Sequence, residues 1–209
     1  MTLQTRDIID FLAGIDLGSH LDVLRAKRPE TRLNAQKSFD ALFAPEHLGD
    51  VTLEERFAVA TFVAGLHKAD EAGSFYASGL REQANGASLV AAVGAEAARA
   101  DTAGPYGRYP AGPLSREDRP GLVYEVSHEN RAHLGPKLSA ALEHSHLLVF
   151  RPREASAEAL QKLLDAGWTI TGIVTLSQLV AFLAFQIRVV AGLRALAANS
   201  ANVAQAAQA

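Results

Sequence analysis

The chain has 209 residues, of which 48% are hydrophobic and 21% charged, and its formal net charge is −3. This composition is typical of a globular protein with one good-sized core, and it excludes a disordered chain. The basic residues are scattered, which excludes the basic face of a nucleic-acid-binding protein. There is no cysteine, so disulfides, thiolate catalysis and cysteine-bound metal are excluded as well.

The segment 168–186 contains no charged residue and is long enough to span a bilayer. It also contains three threonines, a serine and two glutamines, and polar groups at that density are costly in lipid. We therefore interpret it as a core or oligomer-interface helix and expect no membrane span. The N-terminus has acids within its apolar run and no basic segment, so no secretory signal is predicted. A cytoplasmic protein is the resulting expectation.

In chain order, every predicted regular element is a helix. Thr52 and Glu55 have the spacing of a capping box ahead of an apolar helical stripe. Pro136 suits the first turn of another helix, while residues 122–131 are ambiguous. Start signals, apolar spacing and breakers predict helices at about 6–14, 20–28, 32–43, 53–66, 70–83, 89–100, 136–150, 157–166 and 171–196. The prediction is an all-α fold of about eight to ten helices.

We interpret residues 1–209 as a single all-α domain. The loop at 101–121 contains four prolines and four glycines, which argues against a regular element there. Tyr106 and Tyr109 are expected to pack this loop against the surface. The predicted parts are N-terminal helices (1–50), a helical hairpin (51–100), the Pro/Gly loop (101–121), a second helical half (122–196) and a flexible tail (197–209).

Two stretches together resemble a known family. In the first, Glu55-Arg56 precedes an apolar helix, a junction at Leu66-His67-Lys68-Ala69 and then Phe75-Tyr76. The second is the closing segment 163–193, with Leu-x-x-Ala-Gly, Ile-Val-x-Leu and Phe-x-x-Arg in that order. Over roughly residues 30–196 the chain resembles the alkylhydroperoxidase D-like / carboxymuconolactone decarboxylase superfamily. That resemblance implies an alkylhydroperoxidase D-like helical bundle.

One branch of this family consists of peroxiredoxin-type hydroperoxidases, which the chain resembles. For that branch the resemblance implies a site of one glutamate, two cysteines and one histidine. A helix N-terminus lowers the thiol pKa there, and the second cysteine resolves the oxidised first. The matching positions here are Phe57, Ala69, Ala72 and Tyr76. All four depart from the pattern, and without any cysteine the thiol peroxidase mechanism is excluded. In the decarboxylase branch the resemblance implies acid–base catalysis by a histidine, whose position is again Tyr76.

Tyr76, His67 and Glu71 are the candidate catalytic residues, because they lie around the predicted helix junction. Tyrosine can act as a general acid, but with an ordinary pKa of about 10 it is a poor base at neutral pH. The alternative for Tyr76 is a ring in the core with its hydroxyl bonded to a neighbour. The alternative for the polar residues at the junction is a solvated first turn that complements the helix dipole.

Metal and cofactor sites are not predicted. Four histidines fall in the second half of the chain, at His128, His133, His144 and His146. Their spacing does not match the pairs that a helix needs to ligate a metal ion, and no cysteine can assist them. No phosphate-binding glycine loop or hydrolase motif is present either.

Three hypotheses of function follow. The first is a non-redox, catalytically silent member of the family that forms a homo-oligomer, whether dimer, trimer or hexamer. The second is an acid–base enzyme on a small carboxylated or lactone substrate, so enzymatic activity stays an open question. The third is a non-catalytic partner subunit of an active relative of the same family. None of the three involves nucleic acid or a membrane.

Overall fold

In the computed structural model the described residues are 6–206, with side chains described as far as residue 199. Nine α-helices and no β-strand occur in this part of the chain. The helices are α1 (Ile8–Ala13), α2 (His20–Ala26), α3 (Pro29–Phe43), α4 (Leu53–Leu66), α5 (Asp70–Arg81), α6 (Gly86–Arg99), α7 (His128–Phe150), α8 (Ala157–Asp165) and α9 (Ile170–Ala206). The predicted all-α fold of eight to ten helices is confirmed.

The chain divides into two compact units. Residues 1–46 and 185–209 form unit 1, and residues 47–184 form unit 2. Helix α9 therefore contributes its first part to unit 2 and its remainder to unit 1. The Pro/Gly loop at 101–121 lies inside unit 2, so it does not mark the division between the units.

Unit 1 has a network of ion pairs that joins its first three helices. The buried carboxylate of Asp10 on α1 is paired with both Arg25 on α2 and Arg32 on α3. Arg25 also pairs with Asp7 at 2.7 Å, and Arg32 pairs with Asp22 at 2.9 Å. A buried charge is tolerated only when it is paired in this way. This network could not be predicted from the spacing of its members, because they lie on or next to three different helices.

Helix α4 is the central element of unit 2 and contacts α5, α6 and α7. Its side chains are buried on nearly every face, which is why its sequence is apolar all round. The predicted capping box is confirmed at its start. The Thr52 hydroxyl accepts a hydrogen bond from the backbone N–H of Glu55 at 3.1 Å, and the Glu55 carboxylate accepts one from the N–H of Thr52 at 2.8 Å.

Small side chains allow α4 and α6 to approach closely. A Cβ placed on Gly65 of α4 would lie 2.7 Å from the Cβ of Ala97 on α6, which is nearer than real Cβ atoms come. The alanine-rich sequence of α6 supplies the small side chains that this close approach requires. Ridges of small residues are what let two helix backbones pack at short distance.

The Pro/Gly loop contacts the rest of unit 2 through the backbone of Tyr106 and the ring of Tyr109, over which the guanidinium of Arg153 lies at 3.9 Å. The backbone N–H of Tyr106 donates to the carbonyl of Phe150 at 2.7 Å, and its hydroxyl lies 3.0 Å from that of Thr102. The backbone N–H of Tyr109 donates to Asp118 at 2.6 Å. A loop with these contacts is an ordered part of the structure rather than a linker.

Helix α7 begins earlier than the sequence predicted. The ambiguous segment is irregular up to Ser127, whose side chain accepts a hydrogen bond from the N–H of Asn130 and so caps the helix. A kink follows at Gly135, where φ is 74°, and Pro136 begins the longer second part of α7. Only glycine adopts such a φ without steric cost, so Gly135 permits the helix to restart at the proline.

Helix α9 continues beyond its predicted end near Leu196. The predicted flexible tail, 197–209, lies partly outside the described residues, but the backbone is helical as far as Ala206. The alanines of this segment have the highest helix propensity, which explains the extension. By length and composition α9 is also a candidate membrane span over Ile170–Asn199, and 50% of its most apolar window is buried. Core helices of soluble proteins pass the same test.

Candidate functional site

The predicted helix junction exists between α4 and α5. It turns at Lys68, which has a left-handed backbone with φ 54°, and the side chain of Lys68 pairs with Asp101 at 3.0 Å. Helix α5 then starts at Asp70 without a side-chain hydrogen bond from its N-cap residue, Ala69. The helix break that the sequence predicted is confirmed, and so is the position of a helix N-terminus at this point.

The residues at the positions that match the resembling family's site are mostly in the core. Phe57 is 5% exposed, Ala72 3% and Tyr76 0%, while Ala69 is half-buried at the junction. The ring of Phe57 lies against Gly79 of α5, where an added Cβ would be only 2.3 Å from a ring carbon. The space between α4 and α5 near these positions is therefore filled by side chains.

The three candidate catalytic residues differ in their surroundings. Tyr76 is fully buried, and the ring of Phe75 meets it edge-on at 5.1 Å between centroids. Glu71 is exposed on the same helix. Tyr76 comes five positions after Glu71, which places their side chains about 140° apart around the helix axis. His67 is half-buried at the end of α4. The structure does not place Glu71 and Tyr76 on one face of α5.

All four histidines of the second half lie on α7. His128 and His133 are exposed near its start, whereas His144 and His146 are buried farther along. Across the described residues, no group of three or more histidine, aspartate or glutamate side chains has an arrangement that could hold a metal ion.

His146 has an apolar environment. Its ring packs on the rings of Tyr124 and Phe150, with centroids at 5.0 and 4.8 Å. Its Nε2 lies 3.2 Å from the carbonyl of Ala100, and its buried Nδ1 has no hydrogen-bond partner in the described structure. Burial lowers the pKa of His146 to about 4. The ring is therefore neutral at physiological pH, with the proton on Nε2 where it can be donated to the carbonyl.

A polar cluster that the sequence analysis missed is centred on Glu96 of α6. This carboxylate has no exposed surface. It accepts hydrogen bonds from the hydroxyl of Tyr124 at 2.6 Å and from the hydroxyl of Ser127 at 2.5 Å. The amide of Asn130 and the guanidinium of Arg99 donate to it at 2.8 and 3.3 Å. The carboxylate thus joins α6 to the segment that leads into α7.

The electrostatics of this cluster favour a permanently charged carboxylate. Burial alone would raise the pKa of Glu96, but hydrogen bonds from Ser127, Tyr124 and Asn130 outweigh it and lower the pKa to about 2. Burial and the neighbouring carboxylate raise the pKa of Tyr124 well above its usual range. A carboxylate this acidic is a weak base at neutral pH, so the cluster serves to hold the chain in place.

One signal in the sequence could have revealed Glu96. Helix α6 buries Leu89 and Val93, and Glu96 follows them at the seven- and three-residue spacing of a single helix face. A charged residue on the apolar face of a helix must either have partners where it is buried or turn its charged group toward solvent. Apart from Arg99 on the same helix, the partners could not be inferred, since they lie 28 to 34 residues further along the chain.

A cleft on the surface of unit 2 is lined largely by charged side chains. Its volume is about 710 Å³, and its walls come from the Pro/Gly loop and the segment that follows α7. The charged residues that line it are Arg108, Asp118, Arg119, Arg151, Arg153 and Glu154. Four cations against two anions make its lining net positive. None of these residues was a candidate in the sequence, because arginines in a loop give no pattern.

No protein-family model matches this chain, and no curated protein matches it either. The family resemblance therefore rests on the quoted residues alone.

Proposed function

We propose that this chain is a non-redox, catalytically silent member of the alkylhydroperoxidase D-like / carboxymuconolactone decarboxylase superfamily. One observation carries the proposal: Phe57, Ala72 and Tyr76, which match the family's site positions, are buried core residues. An active site in this place needs a cavity that a substrate can enter. Packed side chains occupy that volume here.

The chemistry of the side chains supports the same proposal. Reduction of a peroxide by this family's route needs a thiolate, and the chain has no cysteine. Acid–base catalysis needs a proton donor within hydrogen-bonding reach of a substrate. Tyr76 has no exposed surface, so a substrate could meet its hydroxyl only if α4 and α5 moved apart.

We further propose that the chain assembles into a homo-oligomer. On α9, Ile170 is 76% exposed and Val174 52%, although both are large apolar side chains. On α8, Leu160 and Leu164 are also exposed one turn apart. Covering apolar surface of this kind with a second copy is the usual reason for its presence. The apolar character of α9 then reflects an interface between cytoplasmic subunits and not a membrane span.

Assays of the purified full-length chain test the absence of chemistry. The first follows the loss of tert-butyl hydroperoxide with ascorbate as a thiol-free reductant. The second follows release of carbon dioxide from small carboxylated lactones. We expect both rates to equal those of heat-unfolded protein at the same concentration. Turnover above that level that Tyr76→Phe abolishes would contradict the proposal and restore the acid–base hypothesis.

A further inference from the structure

The arginine-lined cleft of unit 2 has charges that the fold itself does not use. Its two acidic residues are already engaged. The carboxylate of Glu154 accepts the backbone N–H of Arg108 at 3.2 Å and a guanidinium N–H of Arg151 at 2.8 Å. The carboxylate of Asp118 accepts the backbone N–H of Tyr109 at 2.6 Å. The acids thus shape the walls of the cleft and neutralise only Arg151.

Three of the four guanidinium groups remain without a carboxylate. In the described part of the chain, the side chains of Arg108 and Arg119 have neither an ion pair nor a hydrogen-bond acceptor. Arg153 lies over the ring of Tyr109 at 3.9 Å and forms no ion pair there. Stacking on an aromatic face fixes a guanidinium while its in-plane N–H groups stay available to a ligand.

The walls of the cleft are held in place by the backbone. Gly107 and Arg119 exchange two backbone hydrogen bonds, at 2.8 and 3.3 Å. Gly107 has φ 110°, and a Cβ there would lie 2.9 Å from the side chain of Glu154. Glycine is thus needed for the loop to approach the segment after α7. The positions from which Arg108 and Arg119 project are therefore fixed before any ligand arrives, which lowers the entropic cost of binding.

We propose that this cleft binds a small organic polyanion through Arg108, Arg119 and Arg153. A cleft lined mainly by charges of one sign concentrates the electric field and attracts a ligand of the opposite sign. The protein as a whole carries a charge of −3, so the positive cleft is a local feature and not a consequence of overall composition. Its volume of about 710 Å³ lies within the range of small-molecule sites.

The ligand class follows from the guanidinium groups. Their planar pairs of N–H donors match the two oxygens of a carboxylate or a phosphate. Three available guanidinium groups suit a molecule with two or more anionic groups, namely a phosphate ester or a polycarboxylate. Nothing in this inference depends on Tyr76 or on the helix junction, so it goes beyond the proposed function and stands or falls separately.

Isothermal titration calorimetry of the full-length chain tests the inference with two probes, inorganic pyrophosphate and citrate. We expect one site per chain that binds at least one probe at about 1 mM or below. In the variant Arg108→Ala/Arg119→Ala, the dissociation constant should rise about tenfold or more, since the two charge-assisted contacts together contribute at least that factor. The variant Arg108→Gln/Arg119→Gln, which keeps more of each side chain's length than alanine does, should weaken binding by a similar factor.

Arg81→Ala/Arg116→Ala is the matched control. Both residues are exposed, both lie outside the cleft, and the change in net charge is the same. Its dissociation constant should stay within about twofold of wild type, because only long-range charge is altered. Circular dichroism of every variant checks that the helices are retained.

The two probes separate the two ligand sources. Binding of pyrophosphate alone assigns the cleft to a phosphate-bearing molecule, and binding of citrate alone assigns it to a polycarboxylate. The inference is overturned if neither probe binds, if the Arg108/Arg119 variants bind as wild type does, or if the control loses as much affinity as they do. The hydroperoxide and decarboxylation assays have no influence on this result.

Discussion

The carboxylate of Glu96 has no exposed surface, yet it stays charged because several donors converge on it. At this carboxylate α6 holds both the irregular segment after the loop and the first turn of α7. Ser127 takes part twice, since it caps α7 and also donates to the carboxylate. Loss of this one side chain would leave the buried hydroxyl of Tyr124 and the half-buried donors of Ser127 and Asn130 without this acceptor.

Glu96→Ala should therefore destabilise the fold strongly. Removing the acceptor leaves the hydroxyl of Tyr124 and the amide of Asn130 unpaired, and we expect a loss of about 3–5 kcal/mol in the free energy of unfolding. Urea denaturation followed by circular dichroism measures it. Glu125→Ala, at an exposed neighbouring position, should change the stability by less than about 0.5 kcal/mol. Equal effects of the two variants would show that the cluster is not formed.

His146 gives the protein a pH-dependent stability in mildly acidic solution. Its pKa is lowered by burial to about 4 in the folded state, from an unfolded value of 6.5. Between these values the unfolded chain binds a proton that the folded chain does not, so stability falls as pH falls through this window. From about pH 7 to about pH 5 the expected loss from this group is about 2 kcal/mol.

His146→Phe tests that assignment. The variant should lose most of the pH dependence between these two conditions, whatever its absolute stability, because phenylalanine takes up no proton. Burial also lowers the pKa of His144, so a smaller dependence of the same sign should remain. The exposed His133→Ala should keep the wild-type difference. If His146→Phe is as pH-sensitive as wild type, the histidine ring is not buried as described.

Residues whose partners are close in sequence were predictable, and those with distant partners were not. The capping box of Thr52 and Glu55 lies within one helical turn, so its geometry follows from the spacing alone. Three partners of Glu96, namely Tyr124, Ser127 and Asn130, lie on segments that meet α6 only after folding. Tyr76 is intermediate: its apolar helix face predicted a core ring as one alternative, but the complete burial of the hydroxyl depends on how α4 and α5 pack.

At the level of elements, the packing of α4 on α5 decides whether there is a cavity at the positions that match the resembling family's site. Two glycines of α5 provide a matched comparison. A Cβ on Gly79 would lie 2.3 Å from the ring of Phe57, whereas the nearest atom to a Cβ on Gly73 is 3.9 Å away. Substitution by alanine would therefore create a steric clash at Gly79 and only an ordinary van der Waals contact at Gly73.

Gly79→Ala should destabilise the protein by about 1–3 kcal/mol through overpacking against Phe57. Gly73→Ala should instead stabilise it by up to about 1 kcal/mol, because alanine is the better helix former. Thermal and urea denaturation of both variants measure the difference. Phe57→Leu should cost less in the Gly79→Ala background than in wild type. A similar effect of both glycine substitutions would mean that α4 and α5 are not packed together at this point.

Helix existence was easier to predict than helix ends. The breaks around α4 follow from Thr52 at its start and the junction at its end. The start of α7 did not follow, since Pro136 carried the stronger signal. In the structure a short helical segment that begins at His128 precedes Pro136, because Gly135 allows a kink between the two parts of α7. The end of α9 was placed too early because an alanine-rich segment without an apolar stripe gives no periodicity to follow.

On the scale of the whole molecule, the all-α class followed from the sequence, whereas the division into two units did not. The Pro/Gly loop has the composition of a boundary, yet it lies inside unit 2, where Tyr106 and Tyr109 hold it. The same loop provides two arginines of the cleft. Composition alone could not show this, because the cleft forms only where the loop meets the segment after α7.

The proposed homo-oligomer can be tested by measuring the mass of the assembly. Light scattering of the purified chain at micromolar concentration should give a mass at least twice the 22.2 kDa of one chain. Val174→Glu places a charge on the exposed apolar face of α9 and should shift the mass toward that of the monomer, because a buried unpaired charge is costly. Ser78→Glu, on an exposed position of α5, should leave the mass unchanged. A monomeric wild type contradicts the proposed assembly.

The central claim is that the space where the resembling family has its site is closed. Chemical nitration of the native full-length chain by tetranitromethane, mapped by mass spectrometry of its peptides, tests this most directly. Tyr106 and Tyr109 are half-buried at the surface, whereas Tyr76 has no exposed surface. We predict nitration of Tyr109 and Tyr106 and none of Tyr76 until the chain is unfolded. Nitration of Tyr76 in the native protein at a rate similar to that of Tyr109 would show an open site and contradict the claim.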